Sequence, residues 1–208
     1  MNKIPVFDIG DTLSPSNSNA QEIIKDVIGE APEIDLNEYC PYVPEEMQEW
    51  LDDNEIEGNG EDITKAYLDD KKDYLKEEVF PMLRRIADDF GPIGLISDNR
   101  MEAKEFYTEQ FKEAGVDLEG FVVSEEVGVK KPGREIFEAF LEQREEDSER
   151  FVYFGNYVDR DKGAEKVGMH FVWVKEFCTY GSSTDGIQIE ELTYENVEWA
   201  LKEVENKG

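Results

Sequence analysis

The chain has 208 residues and carries 51 aspartate and glutamate residues against 22 lysine and arginine residues, which gives a formal net charge of −29 at pH 7. Nucleic-acid binding and docking on anionic lipid both need a basic surface, so this balance argues against a nucleic-acid or membrane partner. No run approaches the ~20 apolar residues of a membrane span, and the first strand pattern begins too early for a signal peptide. A cytoplasmic protein is therefore expected.

The first pattern along the chain is the apolar run Ile4–Phe7, which is typical of a strand buried on both faces in a parallel sheet. The next such run, Ile93–Ile96, follows after an interval much longer than one crossover connection needs. Helix-period patterns fill the interval at 20–28, 44–52 and 62–78. We therefore predict a helical insertion, residues 16–76, after strand 1 of a core domain made of residues 1–15 and 77–208.

Beyond the insertion, strand and helix patterns alternate. A helical pattern at 79–90 leads into the second strand, and another at 193–205 closes the chain. Such alternation predicts an α/β fold with a five-stranded parallel sheet and helices on both of its faces. The intervening patterns are strands at Phe121–Val123, Phe151–Phe154 and Phe171–Val174, and helices at 101–114, 134–144 and 160–167.

Histidine and cysteine are scarce, which limits the chemistry available. His170 is the single histidine, so a histidine-rich metal site is excluded and a Ser-His-Asp triad is disfavoured. Cys40 and Cys178 are far apart and have no metal-ligand spacing, so a disulfide framework is not expected. If the protein is an enzyme, carboxylates and lysine are expected to do the chemistry.

Polar groups follow the predicted strands where each one ends. In an open α/β sheet, ligands bind outside the carboxyl ends of the strands, so these groups are candidates for one site. The first strand is followed by Asp8, Ile9, Gly10 and Asp11, the second by Ser97, Asp98 and Asn99, a later helix is preceded by Lys130, Lys131 and Pro132, and the fourth strand is followed by Gly155, Asn156, Asp159 and Asp161.

These four sites, in this order and with a helical insertion after the first, resemble the motifs of the haloacid dehalogenase superfamily of phosphotransferases and hydrolases. The resemblance extends over nearly the whole chain. It implies a Rossmann-like core with five parallel strands, and it identifies residues 16–76 with the helical cap that closes over the site in this superfamily.

The resemblance also implies roles for individual residues. Asp8 matches the nucleophile, which attacks phosphorus and forms an aspartyl-phosphate. Ser97 and Asp98 match the motif that binds the phosphoryl group, and Lys131 matches the ammonium that neutralises its charge. Lys130 is adjacent, but Lys131 directly precedes the proline and is the better match. Considered alone, an aspartate or a serine in such a position is more often a turn or helix-capping residue.

The same motifs imply a magnesium site built from oxygen ligands. The expected ligands are the Asp8 carboxylate, the Gly10 carbonyl, the Asn156 amide oxygen and the Asp161 carboxylate. Asn156 stands where the superfamily usually has aspartate, which removes one negative charge. Asp159 is the alternative to Asp161, and both could also be helix-start aspartates favoured by the helix dipole.

The largest departure from the superfamily is Gly10, because its phosphatases carry a second aspartate two residues after the nucleophile. That group protonates the leaving group and then activates water, which is worth on the order of 10²–10⁴-fold in rate. Asp11 is either a substitute for it or an aspartate of the turn that leaves strand 1.

The expected function is hydrolysis of a small phosphorylated metabolite, with Mg²⁺ as cofactor. Two alternatives stay open: carbon–halogen cleavage of a 2-haloacid by the same nucleophile, and a weakly active or non-catalytic binding protein on this fold.

The acidity of the chain allows two interpretations as well, a surface that keeps the protein soluble or an adaptation to a salt-rich interior. The oligomeric state is open.

Overall fold

The computed structural model describes residues 3–15, 17–29, 32–36, 38–142, 144–178 and 183–207. The chain divides into two compact units. The first combines Met1–Ser14 with Glu78–Gly208, and the second is Pro15–Glu77.

The first unit is built on a six-stranded parallel sheet. The strand order is β3-β2-β1-β4-β5-β6, so the predicted α/β class with a parallel sheet is confirmed. The strands are β1 (Ile4–Phe7), β2 (Ile93–Ser97), β3 (Leu118–Val123), β4 (Phe151–Gly155), β5 (His170–Val174) and β6 (Ile187–Ile189).

The predicted number of five strands is wrong, because β6 adds a sixth at the edge beside β5. Val172 pairs with Ile187, and Val174 pairs with Ile189. Gln188 between the two isoleucines is exposed, while Ile189 is buried. Three alternating residues are too short a run to stand out from the loop that precedes them, which is why the apolar pattern did not reveal this strand.

Helices of the first unit cover the sheet and bury aromatic side chains against it. Phe137 meets Tyr153 edge to face with ring centroids 5.4 Å apart, and Phe140 meets Phe151 in the same way at 5.5 Å. Such pairs contribute energy beyond their buried area. The helices are α4 (Phe80–Phe90), α5 (Met101–Ala114), α6 (Ser124–Val127), α7 (Arg134–Leu141), α8 (Val158–Asp161) and α9 (Tyr194–Lys207).

Glycines end two of these elements at the predicted places. α5 spans its predicted range and stops at Gly115, whose left-handed backbone (φ 68°) suits a residue without a side chain. The helix predicted at 160–167 is α8 followed by a 3₁₀ segment, Lys162–Val167, which ends at Gly168 (φ 89°). The predicted helix 134–144 ends earlier, at Leu141.

The second unit is helical and has an apolar core of its own. It contains α1 (Asn17–Ile28), α2 (Pro44–Asp53) and α3 (Gly60–Tyr74), and a π-helical segment, Leu75–Val79, continues the chain into α4. Asn59 caps α3 by accepting a hydrogen bond from the N–H of Glu61 (2.9 Å). The core consists of Ile24, Ile34, Met47, Trp50, Leu51 and Ile63. Within the described ranges, no helix is long and apolar enough to cross a membrane.

The strand order determines where a ligand site can form. β1 lies between β2 and β4, and the chain moves outward from β1 in one direction through β2 and β3 and in the other through β4 and β5. A crevice forms at the carboxyl ends of strands where the order reverses in this way. The residues that follow β1 and β4 therefore flank the expected site.

Candidate active site

The carboxylate of Asp8 is fixed at the carboxyl end of β1. Its backbone N–H donates to the carbonyl of Phe154 on β4 (2.9 Å), and its Oδ1 accepts from the N–H of Ile9 (2.8 Å). Asp8 is 6% exposed. Its Oδ2 lies 2.9 Å from Nζ of Lys131, so the second oxygen points toward the predicted lysine.

The loop after β1 folds back on the carbonyl of Ile9, which accepts from the N–H of Ser14 (3.0 Å). Asp11 has a left-handed backbone (φ 53°), and its N–H donates to the Ser14 carbonyl (2.8 Å). Short polar side chains tolerate this conformation better than most. Asp11 is thus a turn residue, whereas Gly10 is not among the glycines with positive φ.

Three oxygens surround the ammonium group of Lys131. Nζ lies 2.9 Å from Oδ2 of Asp8, 2.7 Å from Oδ1 of Asp161 and 3.0 Å from the hydroxyl of Tyr153. The backbone N–H of Lys131 donates to Oδ1 of Asp98 (2.8 Å). An ammonium group has three N–H donors. These acceptors match that number, so the lysine is held between the two carboxylates.

Tyr153 is a site residue that the sequence reasoning missed. It lies within β4, is buried, and donates its hydroxyl proton to the carbonyl of Ile96 on β2 (2.8 Å) while accepting from Lys131. A buried tyrosine hydroxyl needs a polar partner. A tyrosine inside an otherwise apolar strand was the signal that could have revealed it.

Asp161 is buried beneath the site. Its Oδ2 accepts from the N–H of Tyr157 (2.8 Å), and its Oδ1 is paired with Lys131. Gly155 makes room for it, because a Cβ atom at Gly155 would lie 2.5 Å from Cγ of Asp161. Asp159, the alternative in the sequence, is exposed. The structure therefore brings Asp161, and not Asp159, to the lysine.

Asn156 follows β4 and faces the loop after β1. It is 4% exposed, and its carbonyl accepts from Nε1 of Trp173 on β5 (2.9 Å). The amide oxygen Oδ1 lies 3.4 Å from the hydroxyl of Thr12. These contacts place the amide at the junction of β1 and β4.

Ser97 and Asp98 follow β2 on the other side of β1. The Ser97 hydroxyl is buried and accepts from Nδ2 of Asn99 (3.3 Å). Asp98 holds the backbone of Lys131 through Oδ1, and its Oδ2 lies 3.6 Å from Nη1 of Arg160. Lys130, the alternative to Lys131, is exposed.

Electrostatics set the protonation of this buried cluster. Burial raises the pKa of Asp8 to about 7, with Lys131 opposing the rise and Asp161 adding to it. Burial lowers the pKa of Lys131, but the charges of Asp161 and Asp8 outweigh that effect and hold it above its ordinary value. Two carboxylates share one ammonium here, so one further positive charge would favour the ionised form of Asp8.

The oxygen donors of the site suit a hard cation. The Asp8 carboxylate, the Asn156 amide oxygen and the Gly10 carbonyl are the ligand types that Mg²⁺ accepts, and the surplus negative charge around Lys131 is complementary to it. Both oxygens of Asp161 already accept from protein donors. Among the described residues, no group of three or more His, Cys, Asp or Glu side chains is arranged to hold a metal, so backbone and amide oxygens would have to contribute.

Comparison with known families shows to which protein family the chain belongs. The family model of haloacid dehalogenase-like hydrolases matches residues 6–174, so the protein belongs to this family of hydrolases, as the motifs predicted. A glyceraldehyde 3-phosphate phosphatase from Methanopyrus kandleri is 29% identical over 202 residues, covering 84% of this chain and 84% of the phosphatase.

Solved structures of the superfamily share the fold. A HAD phosphatase from Thermococcus onnurineus gives a TM-score of 0.55 at 18% identity, covering 91% of this chain and 94% of the other. YfnB from Bacillus subtilis, bound to magnesium, gives 0.57 at 16% identity over 97% and 99% of the two chains. CbbY from Rhodobacter sphaeroides, in complex with xylulose-(1,5)bisphosphate, gives 0.58 at 14% identity over 92% and 95%.

Proposed function

We propose that the protein is a Mg²⁺-dependent phosphoric-monoester hydrolase that acts on a small phosphorylated metabolite in the cytoplasm. The observation that carries this proposal is the contact of Lys131 with both Asp8 and Asp161 at the point where the strand order reverses. The phosphatase activity of the Methanopyrus kandleri relative supports it.

In the proposed reaction, a carboxylate oxygen of Asp8 attacks phosphorus, and the bond between phosphorus and the ester oxygen breaks. The product is an aspartyl-phosphate and an alcohol, and water then attacks the phosphorus to release phosphate and regenerate Asp8. Lys131 orients Asp8 through its 2.9 Å contact and favours the ionised carboxylate against the effect of burial. Ser97 would donate its hydroxyl to the phosphoryl oxygens, and the Asp98 carboxylate would position Lys131 beside them.

Asp8, the Gly10 carbonyl and Asn156 would hold Mg²⁺, which when bound neutralises charge on the transferring phosphoryl group. Asp161 would contribute indirectly, by holding Lys131 and adding negative charge behind it. Gly10 has no side chain that could protonate the leaving group. Esters of acidic alcohols, which need little protonation to leave, are therefore expected to react best. The second unit, residues 16–76 in the sequence prediction, would act as the cap that selects the substrate.

The test compares wild type with Asp8→Asn in the hydrolysis of para-nitrophenyl phosphate, with Mg²⁺ and with EDTA. We expect metal-dependent phosphate release from wild type and background release from the variant, because an amide is a far weaker nucleophile than a carboxylate. Asp159→Asn is the matched control, since Asp159 is exposed and should keep its activity. Metal-dependent turnover that survives Asp8→Asn would refute the mechanism.

A second candidate, 2-haloacid hydrolysis, is favoured by one observation. Both oxygens of Asp161 accept from protein donors, which leaves fewer carboxylate oxygens for a metal than the sequence predicted, and Gly10 offers no proton donor for an alcohol leaving group. Carbon–halogen cleavage by Asp8 would need neither. Chloride release from chloroacetate by EDTA-treated protein would support this reaction, and its absence beside phosphatase activity would exclude it.

A further inference from the structure

The guanidinium group of Arg160 lies beside the candidate active site, and the proposed reaction gives it no role. It lies on α8, and its Cζ atom stands 5.0 Å from the ring centroid of Tyr157. Its Nη1 lies 3.6 Å from Oδ2 of Asp98, and its side chain is 50% exposed. A stacked, half-exposed guanidinium is ordered on one side and open to solvent on the other.

Two neighbours of Arg160 belong to the candidate active site. Asp161, the next residue in the chain, pairs with Nζ of Lys131, and Asp98 accepts from the backbone N–H of Lys131. Asp98 also directly follows Ser97 at the end of β2. Arg160 therefore lies next to the groups that surround the reacting carboxylate without touching that carboxylate itself.

The guanidinium retains donors for a ligand. A separation of 3.6 Å is longer than a hydrogen bond, so the ion pair with Asp98 holds Arg160 without using up its N–H groups. Oδ2 of Asp98 has no hydrogen-bond partner within the described part of the chain. A planar fork of five N–H donors matches the oxygens of a carboxylate or a phosphate.

Arg85 shows what a purely structural arginine of this kind looks like in the same protein. It stacks on Tyr194 at 3.8 Å, and both of its terminal nitrogens reach Oε1 of Glu195 at 3.3 Å. Its side chain is 58% exposed, close to the value for Arg160. The two arginines share stacking, exposure and an acidic neighbour, but only Arg85 is within hydrogen-bond distance of that neighbour.

We propose that Arg160 binds a second anionic group of the substrate, a carboxylate or a second phosphate, while the transferring phosphoryl group lies at Asp8. This inference rests on the proposed function and narrows its substrate class to phosphate esters that carry another anion. In a chain with a net charge of −29, an open guanidinium at the site offers local attraction for a substrate with two anionic groups.

The test measures binding by calorimetry in the presence of Mg²⁺, using Asp8→Asn protein so that no turnover interferes. The probes are ethyl phosphate, phosphoglycolate, which adds a carboxylate, and ethylene glycol bisphosphate, which adds a phosphate. We expect one or both of the probes with a second anionic group to bind at least about tenfold more tightly than ethyl phosphate, because bidentate contacts to arginine are among the strong ones. The tighter of the two identifies the preferred anion.

Adding Arg160→Gln should remove this preference and lower the affinity for ethyl phosphate far less than the affinity for the preferred probe. Arg85→Gln, which also removes one positive charge, should keep the preference. Equal affinity for all three probes, or a preference that survives Arg160→Gln, would overturn the inference. Wild-type protein that releases no phosphate from any of the esters would refute the hydrolase instead, while the binding comparison would still decide the role of Arg160.

Discussion

At the scale of single residues, Gly10 limits the rate at which the proposed site can hydrolyse esters with poor leaving groups. Its backbone is not in the left-handed region, so the position can accept a side chain without backbone strain. We expect Gly10→Asp to raise kcat on alkyl phosphates by up to about 10²-fold, because it supplies a proton donor to a poor leaving group. Para-nitrophenyl phosphate, whose leaving group needs little protonation, should change much less.

Gly10→Asn is the matched control for that change, since it adds a side chain of the same size that cannot donate a carboxylic proton. If the asparagine variant accelerates alkyl phosphates as much as the aspartate variant does, general acid catalysis is not the cause. The kinetic measurement is kcat for each ester at saturating Mg²⁺.

Tyr153 is the second residue whose effect on catalysis can be measured separately from its effect on stability. Tyr153→Phe removes one of the three acceptors around Lys131 and the hydroxyl that donates to the Ile96 carbonyl. We expect kcat to fall about tenfold with a smaller change in KM, because a hydrogen bond to a charged group is worth roughly 1.5–3 kcal/mol and Lys131 loses orientation without it.

Tyr107→Phe provides the comparison, because Tyr107 is another buried tyrosine but lies on α5. Steady-state kinetics and thermal melting are measured for both variants. A Tyr153→Phe variant that loses stability while kcat stays at the wild-type value would show that the hydroxyl serves the fold alone.

The sequence predicted the residues that follow strands better than those within them. Asp8, Lys131 and Asp161 were expected in one site, and the structure brings them into direct contact. Tyr153 and Arg160 were not expected, because one lies inside an apolar strand and the other belongs to a charged run that reads as solvent-exposed helix. Which of several neighbouring polar groups points inward depends on side-chain packing, which a single sequence does not display.

At the scale of elements, the close approach of α7 to β2 depends on a glycine. A Cβ atom at Gly94 would lie 2.5 Å from Cζ of Phe140 and 3.0 Å from Cγ2 of Val6. We expect Gly94→Ala to lower the free energy of unfolding by about 1–3 kcal/mol, because overpacking a close-packed interior forces its neighbours to move. Urea unfolding followed by circular dichroism measures the change.

The cause is tested by Phe140→Leu, which shortens the side chain that meets the added methyl group. In the double variant, the loss of stability should be smaller than the sum of the two single losses, because the leucine removes the clash. Additive losses would mean that Gly94 matters for a reason other than Phe140.

Patterns of apolar residues predicted most elements because β1, β2, β4 and β5 are buried over nearly their whole length. β1 and α5 agree with their predicted ranges, and β2 and β4 extend theirs by one residue each. β6 was missed because it is a three-residue edge strand whose middle residue is exposed. The sequence pattern predicts ordinary helix over the π-helical segment Leu75–Val79, because no residue in it distinguishes the two hydrogen-bond patterns.

At the scale of the whole molecule, the surface is strongly negative, whereas the candidate site contains cationic groups. With 51 acidic and 22 basic side chains, at least 29 carboxylates lack a cation of their own (51 − 22 = 29). Several cations are also committed to neighbours on the same helix, such as Lys65 with Asp69 and Lys202 with Glu198. The long-range field around the protein is therefore negative, whatever the arrangement within the site.

This field opposes the capture of an anionic substrate, whereas Lys131 and Arg160 attract it only at close range. Added salt screens the long-range field first, because the Debye length falls to about 10 Å at 0.1 M ionic strength. We expect kcat/KM for a phosphate ester to rise between about 10 mM and about 0.1 M KCl and to fall at higher concentration, where ions compete for the site. Because screening acts on capture, kcat at saturating substrate should change little over the same range, and a kcat/KM that falls from the first addition of salt would contradict the argument.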